Sequence, residues 1–185
     1  MADAFGALGE LASPYWLCAP APRSVLRVST DGFAVAVFRA EGNWRCSLLA
    51  AELLDDLDGL ITGLRRVATE GAVFGLVCIE DEFFVVIRPI PGGVSLLLSD
   101  ATAALDFDLA ADVLDLLHVE TPDDEEVDDE AWPEGDLALL SDLGVPEQEM
   151  QLIVNEPDLY PDEQLAMIAQ RVGFGDELQR IIDKL

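Results

Sequence analysis

Residues 71–101, GAVFGLVCIEDEFFVVIRPIPGGVSLLLSDA, set the architecture about which the rest of the chain is arranged. They hold three apolar runs, Val73 to Ile79, Phe83 to Ile90 and Val94 to Leu98, interrupted only by Glu80-Asp81-Glu82 and by Pro91-Gly92-Gly93. Short runs rich in Val, Ile and Phe, each bounded by turn chemistry, predict consecutive strands. At the second break Pro91 brings a fixed φ and Gly92 tolerates a positive one, the combination a tight reversal requires.

On the N-terminal side, Phe33 to Arg39 predicts a strand, Glu41-Gly42-Asn43 a turn, and Trp44 to Leu49 the returning arm of an antiparallel hairpin. From Glu52 to Ala68 the period changes. Leu53, Leu57, Leu60, Ile61, Leu64 and Val67 recur at three and four residues, which predicts an amphipathic helix with its apolar stripe against the sheet. Asp55, Asp56 and Asp58 near its start and Arg65 and Arg66 near its end suit the helix dipole. On the C-terminal side, Ser99 or Asp100 is placed to cap a helical piece within residues 101–117. The fold class expected is therefore α+β: about five mainly antiparallel strands with covering helices, a layer arrangement of the profilin-like or roadblock-like kind.

Residues 1–24 contain Pro14, Pro20 and Pro22 among Gly and Ala, and predict an irregular leader. Val25 to Ser29 is a candidate edge segment, so the sheet domain is expected over residues 25–118. Between Glu120 and Asp136 ten of 17 residues are acidic. Like charges at that density extend a chain, so residues 119–135 read as an acidic linker. Residues 136–185 read as a small all-helical unit. Its expected pieces are Asp136 to Leu143 before Gly144, Pro146 to about Asn155, a helix opened by Pro161 and closed by Gly173, and a last segment carrying Leu178, Ile181, Ile182 and Leu185. These short helices need one another or the sheet to bury their apolar stripes.

The hydrophobic fraction of 51% is enough for a real core, which excludes a wholly disordered chain despite a formal charge of −27. No Lys or Arg occurs between Arg88 and Arg171, while Asp and Glu number 22 across residues 89–170. Such a field repels phosphate, which disfavours direct nucleic-acid binding and anionic membranes and favours a basic protein surface or a cation. Charge of this size also keeps a protein soluble without any partner. Cys18, Cys46 and Cys78 are odd in number and widely spaced, which fits buried thiols in a reducing cytoplasm. No basic n-region precedes an apolar stretch, and no run has the length of a membrane span.

His118 is the single histidine, without a local motif to make it half of a catalytic dyad. The run Asp123, Asp124, Glu125, Glu126, Asp128, Asp129 and Glu130 is the candidate partner-binding tract. It does not make an EF-hand loop, because the sixth position counted from Asp123 is Asp128 where glycine is wanted. No lysine follows Pro91-Gly92-Gly93, so the turn is not a phosphate loop. Phe38, Trp44, Phe83 and Phe84 lack the neighbouring cations of a base-stacking platform and read as core. Neither the His-x-Glu nor the Cys-x-x-Cys element of a zinc nucleobase deaminase is expected. No catalytic, cofactor-binding or metal residue is assigned.

With these features in place, the chain resembles an actinobacterial family, the tRNA adenosine deaminase-associated proteins. The resemblance rests on Glu82-Phe83-Phe84-Val85-Val86-Ile87-Arg88, on Val94-Ser95-Leu96-Leu97-Leu98-Ser99-Asp100-Ala101, and on a tail beginning Pro133-Glu134-Gly135-Asp136-Leu137. Within that tail, Asp142-Leu143-Gly144-Val145 and Ile168-Ala169-Gln170-Arg171-Val172-Gly173-Phe174 also match. It spans roughly residues 30–185, leaves out the leader, and transfers no catalytic residue. What it implies is a protein partner, a tRNA adenosine deaminase, whose cationic substrate surface suits an acidic arm. Three readings follow: a non-catalytic accessory protein binding a basic partner through residues 120–136 and the helical tail; a roadblock-like homodimer joined through a sheet edge or the helix Glu52 to Ala68; and a small-ligand-binding domain or enzyme with its pocket on the sheet.

Overall fold

The computed structural model describes residues 32–67, 71–80, 82–122 and 131–185, so the leader and the candidate segment Val25 to Ser29 lie outside the described residues. Each expected strand forms: β1 (Gly32–Ala40), β2 (Asn43–Leu48), β3 (Val73–Ile79), β4 (Phe83–Ile90) and β5 (Gly93–Leu98). A sixth, β6 (Glu134–Gly135), lies at the end of the expected linker and pairs with Leu97 and Leu98. The sheet is antiparallel throughout, in the order β2-β1-β3-β4-β5-β6. Gly92 takes φ +84°, as the hairpin between β4 and β5 requires.

Side chains alternate across the pleat, and here both faces are covered. Phe33, Val35, Val37, Phe74, Leu76, Cys78, Phe84, Val86 and Leu97 point to one side; Ala34, Ala36, Val77, Ile79, Phe83, Val85, Ile87, Leu96 and Leu98 point to the other. The second set packs against α1 (Leu57–Arg66) and α2 (Asp108–Leu117). The first packs against α3 (Glu147–Val154), α4 (Pro161–Val172) and α5 (Gly175–Ile182). The C-terminal helices thus bury their stripes on the sheet as well as on one another. The result is a three-layer arrangement with a core on each face.

Two expected helices are altered by local polar chemistry. The helix expected from Glu52 starts only at Leu57, after a 3-10 turn at Ala51–Leu53, because the Asp56 side chain accepts from the Gly59 N–H at 2.8 Å and caps it there. The helix expected over Asp136 to Leu143 is replaced by turns and a short 3-10 segment, Ser141–Leu143. Asp136 is the cause. Its N–H donates to the Leu96 carbonyl at 2.8 Å, its Oδ1 accepts from the Ala138 N–H at 2.9 Å, and its Oδ2 accepts from the Ser95 hydroxyl at 2.7 Å. These bonds hold the backbone on the sheet edge and compete with a helical start.

The turn that follows is clamped from β4. Arg88 donates to the Leu139 carbonyl and forms two parallel bonds to the Asp142 carboxylate, at 2.5 and 2.7 Å. The Arg88 guanidinium holds the Asp142 carboxyl below its ordinary value, and that carboxylate in turn raises Arg88. Bidentate geometry gives the pair directional specificity beyond its charge.

Candidate interaction surface

Six carboxylates gather where the start of α1 meets α2. Glu52, Asp55, Asp56 and Asp58 come from the capped end of α1, and Asp112 and Asp115 from the outer face of α2. Together with Leu57 and Leu116 they line an open cleft of about 610 Å³. The placement follows from the apolar stripes: with Leu60 and Leu64 of α1 and Leu109, Val113 and Leu114 of α2 turned to the sheet, the acidic positions must face outward. Burial, and then the carboxylates of Asp108, Asp115, Asp58 and Asp56, push the Asp112 carboxyl above its ordinary value of 3.8.

That shift carries a sign. A carboxyl raised in the folded state binds its proton more tightly there than in the unfolded chain, so its contribution to stability is present at low pH and is lost as pH rises through the raised value. At neutral pH the Asp112 charge therefore opposes folding. Asp112→Asn is expected to be more stable than the parent at pH 7, with the difference vanishing below the ordinary carboxylate range and shrinking in high salt. Denaturant midpoints across pH for the two proteins check this. A parent more stable than the variant at pH 7 would show that the charge is compensated.

The candidate partner-binding residues Asp123, Asp124, Glu125, Glu126, Asp128, Asp129 and Glu130 lie outside the described residues. The chain on either side of them is held. Pro122 is buried, the Ala101 N–H donates to the Trp132 carbonyl at 2.7 Å, the Trp132 indole donates to Glu134, and Glu134 and Gly135 pair with β5. The tract therefore connects the end of the acidic helix α2 to the sheet edge.

His118 sits at the C-cap of α2 in the left-handed conformation, φ 60°, and is exposed. Contrary to the expectation, with Glu120 it spells the His-x-Glu half of a zinc deaminase signature. The cysteines among the described residues do not complete it: Cys78 points to the α3–α5 side of the sheet and Cys46 packs against that same core, whereas α2 lies on the opposite side. Burial, and then Glu177, push the Cys46 thiol up to about 12, which leaves it protonated and a poor nucleophile at neutral pH. Among the described residues no three His, Cys, Asp or Glu side chains form a metal-binding group, and no helix is long and apolar enough to cross a membrane.

Phe83 and Phe84 are fully buried, on opposite faces of the sheet. Trp44 is half-buried. It meets Phe74 and Phe174 at centroid distances of 5.9 Å each and donates its indole N–H to the Val172 carbonyl at 3.1 Å. Phe83, Phe84 and the inner side of Trp44 are engaged in packing, but the expected lack of neighbouring cations does not hold at Trp44: the Arg39 guanidinium stands 4.6 Å over its ring. β2 ends the strand order, so its outer edge has no neighbouring strand among the described residues, while α1 keeps its apolar stripe on the sheet.

The family model for Rv3753c-like tRNA adenosine deaminase-associated proteins matches residues 32–175. Protein Rv3753c of Mycobacterium tuberculosis is 53% identical over 155 residues, which cover 84% of this chain and 90% of that protein. No solved structure matches the chain.

Proposed function

This chain belongs to the Rv3753c-like tRNA adenosine deaminase-associated protein family, and from that premise we propose that it is a non-catalytic accessory protein of the cytoplasm that binds a basic surface on a tRNA adenosine deaminase. The observation that carries the reading is the absence of any Lys or Arg between Arg88 and Arg171, in a segment with 22 carboxylates. An enzyme that handles tRNA presents cationic surface to phosphate, and a carboxylate field is its electrostatic complement. The same field repels RNA, so the accessory protein contacts the enzyme and not the substrate. The acidic cleft between α1 and α2 adds a second carboxylate cluster, and its Asp112 and Asp115 shortly precede residues 123–130 in sequence.

Purified deaminase from the same organism, captured on the immobilised full chain at rising salt, tests this. Binding is expected to weaken steadily with ionic strength, and neutralising Asp123, Asp124, Glu125, Glu126, Asp128, Asp129 and Glu130 to Asn and Gln is expected to weaken it by on the order of tenfold at low salt. Unchanged affinity in the neutralised chain removes the tract from the interface. A deaminase that never binds removes the reading.

A further inference from the structure

Away from the acidic cleft, on the outer side of the C-terminal helices, α3 and α4 leave an apolar groove of about 430 Å³. Leu152, Ile153, Leu159 and Met167 line it. Leu152 is 73% exposed and Met167 38%, although both lie beside core residues of the same helices. Large apolar side chains so placed cost solubility and leave much of their surface unpacked within the chain. The rim is anionic: Arg171 is already neutralised by Glu149 at 2.6 Å, which leaves Glu156 and Asp158 as its net charge.

We propose that this groove is the docking site for a basic amphipathic helix of another protein, one that inserts a Leu, Met or Phe side chain between Leu152 and Met167 and sets flanking Lys or Arg against Glu156 and Asp158. The inference rests on the accessory-protein reading and gives it a second, apolar contact. Charge chooses the occupant. A second copy of this chain would bring a formal charge of −27 against an anionic rim. The leader has the apolar content, but residues 1–31 set Asp3, Glu10 and Asp31 against Arg23 and Arg27 and so carry no net positive charge. A cationic helix from a different protein complements both the floor and the rim, which is the usual pattern of helix-in-groove recognition.

Two probes are titrated against the folded full chain: the purified deaminase, and a synthetic amphipathic Leu/Lys helix of about five turns. Leu152→Glu is the informative variant, because it adds a carboxylate and would strengthen a purely Coulombic attraction. It is expected to weaken both probes by about tenfold, the size of one lost anchor. Glu156→Lys with Asp158→Lys is expected to weaken them similarly and to flatten the salt dependence. Exposure of Leu152 keeps the fold intact, which circular dichroism verifies. Undiminished or tighter binding by Leu152→Glu overturns the groove while leaving the accessory reading in place. Peptide binding at the groove without deaminase binding keeps the groove and sinks the deaminase reading; failure of both probes sinks both. A parent dimer that Leu152→Glu dissociates, or a Met167 methyl resonance that moves on Trp16→Ala without any probe, gives the groove to a copy or to the leader and overturns the proposal.

Discussion

Phe174→Ala is expected to cost about 3–5 kcal/mol of folding stability, and to loosen the C-terminal helices before the rest of the protein. Phe174 is 1% exposed and stands at the N-cap of α5, directly after Gly173 has ended α4 in the left-handed conformation. Its backbone closes the corner: its N–H donates to the Ala169 carbonyl at 2.9 Å and its carbonyl accepts from Glu177 and Leu178. Its ring reaches the sheet, 5.6 Å from Phe74 and 5.9 Å from Trp44. One side chain thus ties β2, β3 and the α4–α5 corner together. Removing it deletes two aromatic contacts and opens a cavity that rigid strands cannot collapse into. Natural domains hold only about 5–15 kcal/mol in all, so the loss is a large fraction of the total. Denaturant melts measure the size, and amide exchange measures the place: α3, α4 and α5 are expected to lose protection more than α1 and α2. A loss below about 1 kcal/mol, or equal loosening of both helical layers, would show that other contacts dock the tail.

That corner also shows where reading the chain stops. The strands were legible because Val, Ile and Phe runs end at Glu41-Gly42, Glu80-Asp81-Glu82 and Pro91-Gly92, and the turn chemistry of those breaks is local. The docking of α3, α4 and α5 on the sheet had a signal too. A strand covered on one face alternates, whereas Phe74, Leu76 and Cys78 are as apolar as Val77 and Ile79 between them, and such runs mark cover on both faces. What no local pattern contains is pairing at a distance. Arg88 finds Leu139 and Asp142 across 51 and 54 residues, and Leu137, Leu139, Leu140 and Leu143 have helical spacing that the bonds of Asp136 to β5 override. The interaction surface divides in the same way. Its acidic residues were visible as composition, but their meeting between α1 and α2 depends on which stripe each helix turns inward. Leu152 is one of several apolar positions along α3, and it is the fold that leaves it outside, beside the buried Ile153.

Gly135→Ala is the second large effect expected, and it tests whether the sheet edge holds the acidic tract in place. Gly135 has φ +112° and pairs with Leu97 at the end of the sheet. A Cβ added there would stand 2.2 Å from the Leu96 carbonyl oxygen, a backbone atom in a paired strand that cannot step aside. Backbone strain at such a φ costs of the order of 1–3 kcal/mol, and relieving the clash means breaking β6 from β5. The consequences then spread along the chain. Asp136 loses its bonds to Leu96 and Ser95, the turn carrying Leu139 and Asp142 loses its approach to Arg88, and the far anchor of residues 123–130 is released. The expected result is a melting temperature lower by roughly 5–10 °C, from about 2–3 kcal/mol in a chain of this size. Gly93→Ala supplies the comparison, since Gly93 also lies in a strand pair, β5 with β4, but an added Cβ meets nothing within 4 Å; it is expected to be nearly neutral. Equal, small effects of the two substitutions would mean that β6 contributes little and that the tract is not anchored through it. A large effect of Gly135→Ala alone, with deaminase capture weakened at a temperature where the variant is still folded, would tie the affinity of the acidic tract to where its ends are held as well as to its charge.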